Sequence, residues 1–216
     1  MKPGLVLTTG PASEPVTTAE ALAFIRVDDV TEETFVAALI LTARRYVENY
    51  LSVSLITTTW TLWLDGFKKK RVSEPWWDGT RQGALSMLNG PDAQRIPLMR
   101  GPNAAVTSIS TFDRDDTETV YAASNYIVDD SQLKPEVVLR DGAVWPGNLR
   151  IAKAVKIVFT AGYANAAAVP QDIKTAMLQL VAHWYENRES VIVGSISSEV
   201  PMTVNLLLDP YRVVDL

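Results

Sequence analysis

Residues 170–189 read PQDIKTAMLQLVAHWYENRE, a stretch that predicts a long amphipathic helix. Ile173, Met177, Leu180, Val181 and Trp184 line one side at helical spacing. Pro170 suits the first helical position, and Gln171 and Asp172 fill the first turn. Arg188 stands in the last turn, where a cation meets the negative end of the helix dipole. An apolar tail follows and closes on Leu206-Leu207-Leu208-Asp209-Pro210-Tyr211-Arg212-Val213-Val214. Terminal residues are usually polar and frayed. A tail this rich in Val, Ile, Leu, Met and Tyr has to be covered, and a partner subunit is a natural place for it.

That helix needs an apolar partner, and the sequence offers one near its other end. Thr17-Thr18-Ala19-Glu20 has the spacing of a capping box, with a hydroxyl and a carboxylate each able to meet an exposed amide. Ala21, Leu22 and Ile25 continue it as a short helix ending near Arg26. A second helix is expected to start at Thr31, with Glu32 and Glu33 in a first turn that favours anions. Along it Phe35, Leu39, Thr42, Tyr46 and Tyr50 form one stripe, and Val36, Ile40, Ala43, Val47 and Leu51 form another beside it. Two adjacent stripes imply burial on two sides, in a bundle or between the core and a neighbouring subunit. Arg44 and Arg45 are expected to form ion pairs on the helix's exposed edge.

Between these helical parts the period changes from 3.6 to 2. Thr57 to Asp65 alternates around Trp60, Leu62 and Leu64 and reads as a strand. Val106–Phe112, Thr119–Asp129, Val137–Arg140 and Val155–Thr160 are further strands, with Val155, Ile157 and Phe159 on one face. Val72 to Pro102, with Trp76-Trp77, reads as a long packed or contacting loop. The expected class is therefore α+β. Two N-terminal helices and the long C-terminal helix form a small helical bundle core, which carries an inserted antiparallel β-sheet or small barrel and an extended C-terminal arm. The corresponding segments are an N-terminal arm (1–16), a helical core (17–55 and 169–190), a β insertion (56–168) and a C-terminal arm (191–216).

Composition limits the chemistry. The chain of 216 residues is 47% hydrophobic and 21% charged, which suits a globular protein. With no cysteine it has no disulfide, no thiolate nucleophile and no thiolate zinc site. No leader pattern opens the chain and no run approaches about 20 apolar residues, so a soluble, cytoplasmic protein with no membrane partner is expected. A net charge of −5 argues against gripping nucleic acid. The one basic run, Lys68-Lys69-Lys70-Arg71, reads as a solvated loop. The single histidine, His183, has no serine or carboxylate at relay spacing. The acidic run Asp113-Arg114-Asp115-Asp116 lacks the Gly and Glu of a helix-flanked calcium loop. No glycine-rich phosphate loop occurs. The expectation is no enzyme, no catalytic residue, no cofactor and no metal; a carboxylate-dependent hydrolase using Asp115 and Asp116 is the weaker alternative.

Seven segments in order carry a resemblance. They are residues 16–28 (VTTAEALAFIRVD), the helix from Thr31 through Tyr50, Leu55-Ile56-Thr57-Thr58-Thr59-Trp60, Phe159-Thr160-Ala161-Gly162-Tyr163, Val169-Pro170, His183-Trp184-Tyr185-Glu186-Asn187-Arg188 and Leu208-Asp209-Pro210-Tyr211-Arg212. Together they resemble the head-tail connector family of tailed bacteriophages and prophages, also called adaptor or head-completion proteins. The resemblance implies a structural virion protein at the neck, assembled in the bacterial host cytoplasm. It further implies a ring of about a dozen copies under the portal, with a next head-completion or tail-terminator protein on its other side. Double-stranded DNA would pass through without sequence-specific binding. Portal docking would fall to Val191, Ile192, Val193, Leu206, Leu207, Leu208, Pro210, Tyr211, Arg212 and Val213. Subunit contacts would fall to Val36, Ile40, Ala43, Val47, Trp184, Tyr185 and Arg188. Another tail-completion or minor structural protein of a phage is the alternative within the same class.

Overall fold

The computed structural model describes residues 3–27, 29–67, 94–188 and 202–212. The chain divides into two compact units, one of Met1–Thr9 and Thr59–Thr160, the other of Gly10–Thr58 and Ala161–Leu216. Residues 72–93, with Trp76-Trp77, and the basic run at 68–71 lie outside the described residues.

The first unit is built of strands. Gly4–Thr9 (β1), Thr58–Leu64 (β2), Ala105–Phe112 (β4), Glu118–Tyr121 (β5) and Val155–Ala161 (β8) form a five-stranded sheet in the order β1-β2-β8-β4-β5. Arg95–Pro97 (β3), Tyr126–Asp129 (β6) and Glu136–Leu139 (β7) form a three-stranded sheet in the order β3-β7-β6. Strand β8 shows why the period-2 reading works: Val155, Ile157 and Phe159 are buried and the residues between them are half-buried. In β2, Leu62 and Leu64 face the same core. On the opposite face Trp63 packs on Phe112 at 5.9 Å, and the Lys156 ammonium sits 5.9 Å from the Trp63 ring.

Helices dominate the second unit: Thr18–Ile25 (α1), Glu33–Leu51 (α2), Gln171–Glu186 (α3) and Met202–Leu208 (α4). The capping box of α1 is complete, with Thr17 accepting from the Glu20 amide and Glu20 accepting from the Thr17 amide at 2.7 Å. Hydrogen bonds from the Thr17 amide and hydroxyl hold the Glu20 carboxyl below its ordinary value. At the start of α2 it is Asp29, rather than Thr31, whose side chain acts, accepting from the Thr31 amide at 2.9 Å ahead of a short 3-10 turn, Val30–Glu32. The α2 face of Val36, Ile40, Ala43, Val47 and Leu51 is buried against the apolar faces of α1 and α3, and Val204 and Leu208 of α4 join the same core. Arg44 lies on this buried face and not on an exposed edge. It is 7% exposed and pairs with Glu14 at 2.7 Å and Glu48 at 2.8 Å, while Glu48 also accepts the Leu55 amide at 3.0 Å.

The expected bundle with its long C-terminal helix, inserted β domain and extended arm is not the fold. The chain is mixed α/β, with four α-helices among the described residues and two open antiparallel sheets rather than a barrel. Its first strand precedes every helix and forms the edge of the larger sheet, so the sheet does not come from the middle segment alone. Pro and Gly around Gly4–Thr9 obscured a run of Leu, Val and Thr with good strand propensity. Helix α3 has 16 residues and stops at Glu186, short of Glu189. The Asn187 side chain donates to the His183 carbonyl at 2.9 Å there and closes the last turn. In place of an extended arm, Met202–Leu208 is helical and Asp209–Tyr211 forms a 3-10 turn.

Candidate functional site

Helix α4 gives way after Leu208 to the 3-10 turn Asp209–Tyr211, where Pro210 has no amide to continue regular helical hydrogen bonding. Its Val204 and Leu208, four residues apart, lie on one face and are fully buried, and Leu207 packs beside them. Leu206 points away and is 66% exposed. Polar contacts fix the segment: Thr203 donates to Gln179 at 3.1 Å, Tyr50 to Asp209 at 2.7 Å and Tyr211 to Asp172 at 3.0 Å. The Arg212 guanidinium lies 5.0 Å from the Tyr50 ring centre. Its hydrogen bond to the Asp209 carboxylate raises the Tyr50 phenol above its ordinary value, and the bond to Asp172 does the same for Tyr211. Both hydroxyls therefore keep their protons at neutral pH and remain donors. Pro210 and Arg212 are exposed, whereas Tyr211 is half-buried.

A second surface lies where the start of α2 meets the end of α3. Phe35 and Tyr185 are 6.1 Å apart, and the Arg188 guanidinium sits 4.8 Å from each ring. Arg188 also pairs with Glu32 at 3.0 Å. Phe35 is 37% exposed and Arg188 is exposed, so two aromatic rings and an arginine are held in one partly open cluster. Residues of these types are enriched at the energetic centres of protein interfaces. Trp184 belongs to a different contact, packing edge-on to Tyr46 at 6.1 Å.

The residues expected to bind partners thus separate. Leu206, Pro210, Arg212 and Arg188 are exposed. Leu208, Val36, Ile40, Ala43 and Val47 are at most 1% exposed and are covered within the chain. Leu207, Tyr211, Trp184 and Tyr185 lie half-covered, and Val191, Ile192, Val193 and Val213 fall outside the described residues. Phe35 shares the cluster of Tyr185 and Arg188, and spacing alone places it only in a helical stripe, because its pairing with Tyr185 spans too much sequence to be visible there.

Two carboxylates of the acidic run are engaged locally. Asp113 is bound up in its own turn, its Oδ1 accepting the amides of Asp115 and Thr117 at 2.9 Å each. Asp116 pairs with Arg150 at 3.0 Å. Among the described residues no group of three or more His, Asp or Glu is placed to hold a metal ion, and no helix is long and apolar enough to cross a membrane.

Residues 15–214 match the head completion protein family. No curated protein matches the chain. Among solved structures, a chain in the neck of an empty GTA particle computed with C6 symmetry is similar at a TM-score of 0.74 and 22% identity, over 99% of this chain and 97% of that one. A chain in the virion of a native gene transfer agent (GTA) particle gives 0.72 and 21%, over 98% and 96%. A chain in the neck of a native GTA particle computed with C12 symmetry gives 0.61 and 22%, over 98% and 97%. At these identities the likeness establishes a shared fold over nearly the whole length. The family match covers almost the entire sequence, and on it the chain belongs to the head completion protein family, the structural head-tail connectors of tailed phages and related particles.

Proposed function

We propose that the protein forms a ring in the neck of a phage-like particle, seated under the portal and carrying the next head-completion or tail-terminator protein. The observation that carries this reading is the family match across residues 15–214, supported by a full-length fold likeness to chains of GTA necks. The ring is closed by heterologous contacts, one surface of each copy meeting a different surface of the next. The cluster of Phe35, Tyr185 and Arg188 supplies one such surface. Residues 191–216 supply the portal contact, through Leu206, Pro210 and Arg212 on α4 and the turn that follows. The work is mechanical and involves no catalysis. A net charge of −5 suits a passage through which DNA moves without being held.

Leu206→Asp tests the portal contact. This residue is 66% exposed, so the change leaves the packed face of α4 in place. A charge set into an apolar contact is expected to weaken binding to the portal ring of the same particle at least tenfold, about 1.4 kcal/mol, in a sedimentation or biosensor assay. Unchanged affinity would remove α4 from the portal contact.

A further inference from the structure

We infer that the outer edge of strand β1 is an interface between copies, accepting an extended segment of the neighbouring subunit as an added strand. The inference rests on the ring reading above and names a contact that the reading leaves open.

Among the described residues strand β1 is bonded on one side only. Gly4 to Leu7 pair antiparallel with Trp60 to Trp63 of β2, and the register shifts between Leu7 and Thr9. Its other side presents amides and carbonyls with no partner among the described residues. Both faces are open as well: Val6 and Leu7, which point to opposite sides of the sheet, are 52% and 47% exposed.

Natural sheets protect such edges with charge, proline or very short strands, and the other edges here do so. Strand β3 has three residues, including Arg95 and Pro97. Strand β5 has four and carries Glu118, paired with Lys156 at 3.6 Å. Strand β6 also has four and ends on Asp129. Strand β1 has six residues, GLVLTT, with neither charge nor proline. Its only irregularity is the bulge near Thr8, which leaves Gly4–Leu7 regular.

An uncharged, six-residue, apolar edge left open in a free protein is an aggregation site. In an assembled ring it is a docking strip, where backbone hydrogen bonds supply affinity and the flanking side chains supply register. The absence of charge favours a second copy over an oppositely charged partner. Copies that each carry −5 repel, and a neutral strip is where they approach at least cost.

The test uses the full chain. Hydrogen exchange of the Gly4–Leu7 amides is measured in dilute monomer and in the assembled ring, alongside a Val6→Lys, Leu7→Lys variant. Both replaced side chains are about half exposed, so the variant is expected to keep the parent's circular dichroism and melting temperature. Assembly should slow exchange at Gly4–Leu7 at least tenfold, and the variant should need at least tenfold more protein to form rings. Rings that form with these amides still exchanging freely, or a variant that assembles like the parent, would overturn the inference and leave the ring reading standing. Protection appearing only when a different protein is added would also overturn it. A parent chain that stays monomeric at every concentration, alone or with its portal, would instead contradict the ring reading and remove the inference with it.

Discussion

Replacing Gly162 with alanine is expected to destabilise the protein by about 3 kcal/mol or more, among the largest effects of any single substitution. Two causes act together. Gly162 has φ of +120°, a backbone conformation open to glycine and strained for any residue with a Cβ. An alanine Cβ would also stand 2.5 Å from the Ile56 carbonyl oxygen and 2.8 Å from the Thr57 nitrogen. Those atoms are held in place. Ile56 and Tyr163 form a parallel bridge, the Thr57 amide donates to the Tyr163 carbonyl at 3.0 Å, and the Thr57 hydroxyl donates to the same oxygen at 2.9 Å. Backbone pinned this way cannot yield as the end of a flexible side chain would. Gly142→Ala is the control, since Gly142 has φ of +79° but open space around its Cβ position. Strain alone should cost about 1–2 kcal/mol there. Urea unfolding of the two variants separates them, and equal midpoints would show that the Ile56 contact gives way.

Arg44→Met is expected to cost about 3 kcal/mol, for an electrostatic reason. Arg44 is almost fully buried between Glu14 and Glu48, whose side chains are 32% and 13% exposed. Removing the cation leaves two carboxylates close together, one of them nearly out of water, and breaking a buried ion pair from one side costs about 3–5 kcal/mol. The lower end applies because Glu14 keeps some solvent. If uncompensated charge is the cause, adding Glu48→Gln should recover a substantial part of the loss. Glutamine keeps an oxygen able to accept the Leu55 amide while shedding the charge. A double variant as unstable as the single one would assign the loss to the packing of the arginine stem instead. Both are read as unfolding midpoints of the same chain.

The features readable in the sequence were those written in local period. The alternation of Val155, Ile157 and Phe159 is the burial pattern of β8, the Val36–Leu51 stripe is the buried face of α2, and Thr17 with Glu20 caps α1. Features set by distant partners were not readable. GLVLTT becomes a strand because β2 is there to pair with it, far along the chain. Arg44 is buried because Glu14 and Glu48 neutralise it, and no spacing rule connects residue 14 with residue 44. Helix α4 is seven residues long, too short to show a clear period or to persist alone, and it exists through the burial of Val204 and Leu208. The surfaces divide along the same line. The tail was legible as a segment that must be covered, and for Val204 and Leu208 the cover is the chain's own helical unit. The cluster of Phe35, Tyr185 and Arg188 joins two helices that lie far apart in sequence.

The central claim is that copies of this chain close into a ring. Native mass spectrometry of the full-length protein, with and without the portal of its particle, tests that claim most directly. The account predicts a single closed oligomer with one defined copy number, visible as rings by negative-stain imaging, formed either by the protein alone or on the portal. A folded chain that remains a monomer in both conditions, or that grows into open chains of no fixed number, would contradict it.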